Sequence, residues 1–290
     1  MFRLLLLLTL PLLAFAQKPL VGTTTFALYD IVKNIAKDSV ELYNIVPFGT
    51  SIHTYEPTPK DATKIAKSSI VFYSGASLEP WIKGFSFAKK SLDLSSVVDL
   101  ITLEDDDHHD HHHHGSYDPH YWLDASNMIK VCEAITKELG EIVPEKKEYF
   151  IVNALLYIDE LKRLDAEFRS ALSECKQSTI IVNHDAFSYL AKRYGFRSLP
   201  LSSLAPESEP SAKRMIAILK HIRSSGSKVI FAENFASQKA MQSIADEAGV
   251  ELDLLQPLGN ITADEAKADL SYVQIMRQNI AKISKALQCR

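Results

Sequence analysis

Two kinds of apolar segment alternate along this chain. Short β-rich runs at residues 20–28, 40–46, 69–73 and 97–101 predict strands, and residues 29–37 and 59–67 between them read as helices. The second of these helices is opened by Thr58, a good N-cap, with Pro59 in the favoured first position. A helix follows at 127–139, with a stop expected at Gly140, and another begins at Pro144. That one carries Phe150, Ala154, Leu155, Ile158, Leu161, Leu164, Phe168 and Leu172 at helical spacing and meets no breaker until about Cys175. Some 30 residues at about 1.5 Å each give roughly 45 Å, more than the width of one lobe. It reads as a strut between two lobes, or as a coiled-coil arm. Beyond it the alternation resumes, with strands at 178–183, 228–233 and 250–255 and helices at 186–194, 212–224, 237–248 and 263–287. The pattern predicts an α/β protein: two lobes with parallel-type sheets, joined by a long rigid helix.

Two segments fall outside that alternation. Residues 4–15 are almost wholly apolar, follow Arg3, and end in Ala14-Phe15-Ala16, the layout of a signal peptide covering 1–16. A membrane anchor needs about 20 apolar residues, and this run stops after about a dozen. No cysteine follows it until Cys132, so export to the periplasm without a lipid anchor is the expectation. The second segment, residues 104–115, is Glu-Asp-Asp-Asp-His-His-Asp-His-His-His-His-Gly, which has no apolar residue to join a core and reads as a mobile loop. The expected organisation is then a first lobe at 17–125, a helical linker at 126–175 and a second lobe at 176–290.

Composition narrows the function. The chain has 290 residues, 46% hydrophobic and 23% charged, an ordinary globular balance with room for two lobes. A net charge of −4 gives no basic field for nucleic acid. Three cysteines exclude a disulfide-dense scaffold and a four-cysteine zinc site. An oxidising compartment would allow one disulfide, expected between Cys175 and Cys289 because the latter sits on a terminal helix free to dock; three unpaired thiols are the alternative.

The histidines carry the chemistry. There are ten, and seven lie between His108 and His120. Outside the insert, His53 follows a predicted strand in Pro47-Phe-Gly-Thr-Ser-Ile-His-Thr-Tyr-Glu-Pro-Thr-Pro59, and His120 lies in Tyr117-Asp-Pro-His-Tyr-Trp-Leu-Asp124. His184, in Ile180-Ile-Val-Asn-His-Asp-Ala-Phe187, stands at the carboxyl end of another strand, while His221 falls inside a predicted helix and reads as a surface residue. Ligands of open α/β sheets bind beyond the carboxyl ends of strands, so His53 and His184 could meet across a cleft between lobes. Any one of them alone is more simply a structural histidine.

Seven segments, in order, resemble the metal-specific (cluster A-I) solute-binding proteins of bacterial ABC importers, in particular the zinc-binding ones. They are His-Thr-Tyr-Glu-Pro-Thr-Pro, the acidic polyhistidine insert, Asp-Pro-His-Tyr-Trp-Leu-Asp, Asn-His-Asp-Ala-Phe-Ser-Tyr-Leu-Ala-Lys-Arg-Tyr-Gly-Phe, Glu-Ser-Glu-Pro-Ser, Ile-Phe-Ala-Glu-Asn and Gln-Pro-Leu-Gly. The resemblance covers essentially the whole chain after residue 16. It implies zinc as transported ligand, held by His53, His120 and His184 in the cleft, and delivery to a membrane permease driven by a cytoplasmic ATPase. Manganese members of the family place a carboxylate where His184 stands, and neutral imidazole suits zinc better than hard-oxygen metals. Many relatives carry aspartate directly before the Pro-Leu-Gly; here the residue is Gln256, which could supply at most a weak fourth contact. Ile52 stands where some members have a liganding glutamate, and Asp253 lies inside a predicted strand.

The remaining features have paired readings. His108, His109, His111, His112, His113 and His114 are expected to collect zinc weakly, or else to form a solvated spacer. Asp124 and Asp185 either orient imidazole N–H groups or cap helices. Trp81 and Trp122 are expected in the core or the cleft wall, and Glu207 and Glu209 could meet the permease. The expected protein is a monomer that binds and releases zinc and is not an enzyme. Manganese or iron transport is the alternative within the family. A three-histidine zinc hydrolase is the alternative from another class, with Glu56 as its one candidate base.

Overall fold

The computed structural model describes residues 17–85, 87, 90–103, 117–204 and 210–290. The signal-like run, the histidine insert, Glu207 and Glu209 lie outside the described residues. Among the described residues, eight strands build two sheets, each four-stranded and wholly parallel. In the first lobe, β1 (Leu20–Thr23), β2 (Glu41–Asn44), β3 (Ile70–Tyr73) and β4 (Ser91–Asp93) lie in the order β2-β1-β3-β4. The second lobe repeats that order as β6-β5-β7-β8, from β5 (Thr179–Val182), β6 (Arg197–Pro200), β7 (Val229–Ala232) and β8 (Glu251–Leu254). Two parallel α/β lobes with a long helix between them is the class the alternation predicted.

Helices α1 (Phe26–Ala36) and α2 (Pro59–Lys67) serve the first lobe, and α3 (Ala125–Ile142) and α4 (Lys147–Ala171) connect the two. The second lobe carries α5 (Ser188–Tyr194), α6 (Ala212–Ser225), α7 (Lys239–Ala248), α8 (Ala263–Lys267) and α9 (Tyr272–Leu287). Thr58 caps α2 in a reciprocal box with Asp61, as its sequence announced. The long helix spans 25 residues and does not stand free: it packs on α1, α3 and α9 and belongs to one continuous core reaching from Val21 to Leu287.

Several boundaries differ from expectation for physical reasons. The expected strand at 97–101 is not a strand; β4 lies earlier, where Ser91, Leu92 and Asp93 pair with Val71, Phe72 and Tyr73. Asp93 then caps a short 3-10 turn, and Val97, Val98, Leu100 and Ile101 pack their side chains against the core without joining the sheet. Gly140 does not end α3, which keeps it in the helix and runs on to Ile142; a Cβ there would meet Lys147 Cγ at 3.1 Å. The break comes at Pro144, in a 3-10 turn before α4. The expected helix at 263–287 is two helices, parted where Asp269 turns to φ 56 and Ser271 opens a new capping box with Gln274. Strand β6 had no periodic signal; it is a four-residue edge ending in Pro200, a residue an edge strand tolerates.

Candidate metal centre

In each sheet the chain order reverses beside the first strand, and the crevice beyond the carboxyl ends opens there. In the second lobe that crevice lies between β5 and β7. Val182 pairs with Phe231, so the parallel register carries His184 and Glu233, each two residues further on, side by side. Glu233 Oε1 accepts from His184 Nδ1 at 2.6 Å and from its backbone N–H at 3.3 Å. His120 caps a 3-10 turn ahead of α3 and is held the same way. Asp118 Oδ1 accepts from His120 Nδ1 at 2.8 Å and from its N–H at 2.9 Å. His53 reaches the centre from the loop between β2 and α2.

The three imidazoles converge. One nitrogen from each of His53, His120 and His184 lies within 4.8 Å of the others, and the ring centroids are 5.2–5.5 Å apart. His120 Nε2 and His184 Nε2 stand 3.3 Å apart. Because each Nδ1 proton is committed to a carboxylate, both Nε2 atoms present lone pairs. Two bare acceptors face to face repel unless a cation sits between them. Nitrogens about 2.0–2.1 Å from one zinc at a tetrahedral angle stand about 3.3 Å apart, so the spacing suits that ion. Burial, and then the neighbouring His120 and His184, push the His53 imidazole down to about 2; burial likewise holds His120 well below the ordinary range. Protons therefore compete poorly for the lone pairs of His53 and His120, which stay neutral donors.

The sequence-predicted residues distribute unevenly. His53, His120 and His184 come together; the histidines of the insert lie outside the described residues, although Thr102 and Tyr117 pair across its base, three residues before His120. Gln256 does not line the cavity: its Nε2 donates to both oxygens of Glu265, at 2.8 and 3.0 Å. Asp253 instead receives Lys282, and Ile52 forms apolar wall. Glu56 is exposed and lines no part of the cavity, so the base named for the hydrolase reading does not lie at the three histidines. Trp122 is cleft wall, 5.3 Å from the His120 ring, with Nε1 donating to Pro257 O at 2.7 Å. Trp81 packs against Tyr55 and Phe85 away from the site. His221 is not a plain surface residue; its Nε2 is buried without a partner.

Of the readings open for Asp124 and Asp185, the structure takes the helix one. Asp124 caps α3 through Ser126, and Asp185 accepts from Ser188 Oγ at 2.8 Å. The orienting work falls to Asp118 and Glu233, which sequence reasoning passed over. Both lie in the quoted segments: Asp118 is two residues before His120, a readable signal, whereas Glu233 is 49 residues from its partner and only sheet register reveals it.

Two parallel α/β lobes that bring three imidazoles together on one cavity define a two-lobed protein with a candidate metal centre. The family model described as zinc-uptake complex component A, periplasmic (ZnuA) matches residues 21–286, and the chain belongs to that family. It is 33% identical over 273 residues to the zinc-binding lipoprotein AdcA of Streptococcus pneumoniae serotype 4, covering 91% of this chain and 54% of the relative. It is 32% identical over 280 residues to the high-affinity zinc uptake system protein ZnuA of Bacillus subtilis, covering 92% and 87%. The chain spans about half the length of the AdcA proteins it matches. Its fold is similar to the crystal structure of the Zn(II)-bound ZnuA-like domain of S. pneumoniae AdcA, with TM-score 0.78, 30% identity, and 93% and 99% of the two chains covered.

Proposed function

We propose that this protein captures Zn²⁺ between its lobes on His53, His120 and His184 and hands it to the membrane permease of an ATP-driven importer. The observation that carries this is the approach of His120 Nε2 and His184 Nε2 to 3.3 Å, each ring with its Nδ1 on a carboxylate, with a third imidazole beside them. An all-imidazole donor set favours zinc over manganese or magnesium. A fourth position is left for the ion's exchange, since Gln256 does not line the cavity and its Nε2 is held by Glu265. The relatives' part in zinc uptake, as their names state it, supports the same reading. Export to the periplasm as a free monomer, with residues 104–115 collecting zinc weakly, completes the proposal on sequence grounds. Among the described residues no helix is long and apolar enough to cross a membrane.

The test is competitive zinc titration against a chromophoric chelator, using the protein, its 104–115 deletion, and His53→Ala, His120→Ala and His184→Ala. One tight site should survive the deletion, and each alanine should weaken it by at least about 100-fold, several kcal/mol. If the deletion abolishes tight binding while the alanine variants keep it, the cleft is not the site.

A further inference from the structure

The connection between β8 and α8 crosses to the first lobe immediately below the metal centre. Asn260 lies in it, 2% exposed, and its Nδ2 donates to two carbonyls of the opposite lobe, Pro47 and Thr50, each at 2.8 Å. Its Oδ1 accepts from the Ile261 N–H at 3.0 Å, so both amide N–H donors go to the opposite lobe while the oxygen stays with its own loop. Backbone carbonyls on either side extend the seam: Gly259 O accepts from Phe26 N–H at 2.9 Å, and Ile261 O from Gly49 N–H at 2.8 Å. Gly259 has no room for a side chain, since a Cβ would stand 2.3 Å from Ile52 Cδ1. The clamped segment, residues 47–52, leads directly into His53.

His120 and His184 each have a buried carboxylate fixing the ring. Among the described residues no carboxylate pairs with His53; its anchor is local, the backbone N–H donating to Ser51 Oγ at 3.3 Å. His53 is thus placed by its loop, and the loop is placed by the other lobe. We propose that Asn260 is a positioning residue: it latches the 47–52 loop across the cleft, holds His53 within reach of His120 and His184, and so sets how fast the bound ion leaves. The inference rests on the zinc-binding reading above. It assigns to one uncharged side chain the link between lobe closure and the third ligand.

Zinc release is measured by mixing the loaded protein with excess chelator in a stopped-flow instrument, for wild type, Asn260→Ala and the isosteric Asn260→Asp, which points a carboxylate at two carbonyls. Loss of two buried hydrogen bonds should speed release about 10- to 100-fold. The same substitutions are repeated in a His53→Ala background, where they should change release less than about twofold, because the ligand they position is gone. Equal acceleration in both backgrounds, or none in either, overturns the proposal. Amide exchange of a peptide covering 47–52 is followed in the metal-free protein as well. Faster exchange in Asn260→Ala supports the latch, and unchanged exchange rejects it whether or not zinc is the ligand. A wild-type chain without tight zinc binding would sink the functional reading while the exchange still decides the latch.

Discussion

At the scale of single residues, the centre depends on which atom of each imidazole carries the proton. A carboxylate that accepts from Nδ1 fixes the tautomer and turns the other nitrogen into a ligand, and it also raises the ring's basicity. Asp118 does this from two residues away on the chain, and Glu233 from the neighbouring strand. Burial pushes the Asp118 carboxyl up to about 7, and its hydrogen bond from the His120 N–H works against that rise. Replacing Glu233 by glutamine keeps the size and removes the charge, so zinc affinity should fall about 10- to 100-fold. Asp185→Asn, beside the same histidine but bonded to Ser188, should change affinity less than about twofold. Chelator competition on both variants checks the contrast, and equal losses would mean that general negative charge, not orientation, is at work. The three histidines that converge were legible in the sequence through the family resemblance of the segments around them, since any one of them alone reads as structural. Their partners were harder to read, because a glutamate in Ile-Phe-Ala-Glu-Asn has no visible target until Val182 is known to pair with Phe231.

At the scale of elements, α4 is gripped by a different lobe at each end. Near its start, Asn153 Nδ2 donates to Ile35 O and Tyr157 OH donates to Asp30 Oδ2, both at 2.9 Å, tying it to α1. Near its end, Asp165 receives Arg193 and Tyr194 of α5, and Glu167 receives Arg277 of α9 through two hydrogen bonds. The helix itself was legible from its unbroken periodicity. Its grip was not, since Asp30 and Asp165 are each far in sequence from the groups they meet. Burial pushes the Asp30 carboxyl from 3.8 up to about 6. A carboxyl raised on folding contributes its full stability below its unfolded pKa and loses it as pH climbs through the folded one. Asp30 should therefore cost the fold about 3 kcal/mol between about pH 4 and pH 6. The amide introduced by Asp30→Asn cannot titrate but can still accept from Tyr157. In urea unfolding, Asp30→Asn should gain on wild type by roughly that amount at pH 7 relative to pH 4. A difference that does not change with pH would show that Asp30 is solvated enough to ionise freely.

At the scale of the whole molecule, the chain is closed at two places that lie at opposite ends of the second sheet. The seam at Pro257, Gly259, Asn260 and Ile261 joins the lobes beside the metal centre. The Cys175–Cys289 disulfide joins the segment after α4 to the last residues, across 114 positions of sequence. Main-chain bonds flank it, from Gln177 N–H to Leu287 O and from Arg290 N–H to Glu174 O. The third cysteine takes no part: Cys132 is buried under α4, and burial pushes its thiol up to about 12. The disulfide sits just before β5 begins at Thr179, whereas His184 lies past its far end, five residues and about 16 Å along an extended chain. Stability and metal affinity should therefore separate. Cys289→Ser should lose about 2–4 kcal/mol in urea unfolding, because the unfolded chain regains the freedom of a long loop. Its zinc affinity should stay within about twofold of wild type, since neither the seam nor the strand register changes. Zinc competition at low urea, on oxidised protein and on the variant, measures both quantities on one sample. A parallel fall in affinity would mean that the chain's end reaches the centre through β5, and the two closures would then act as one.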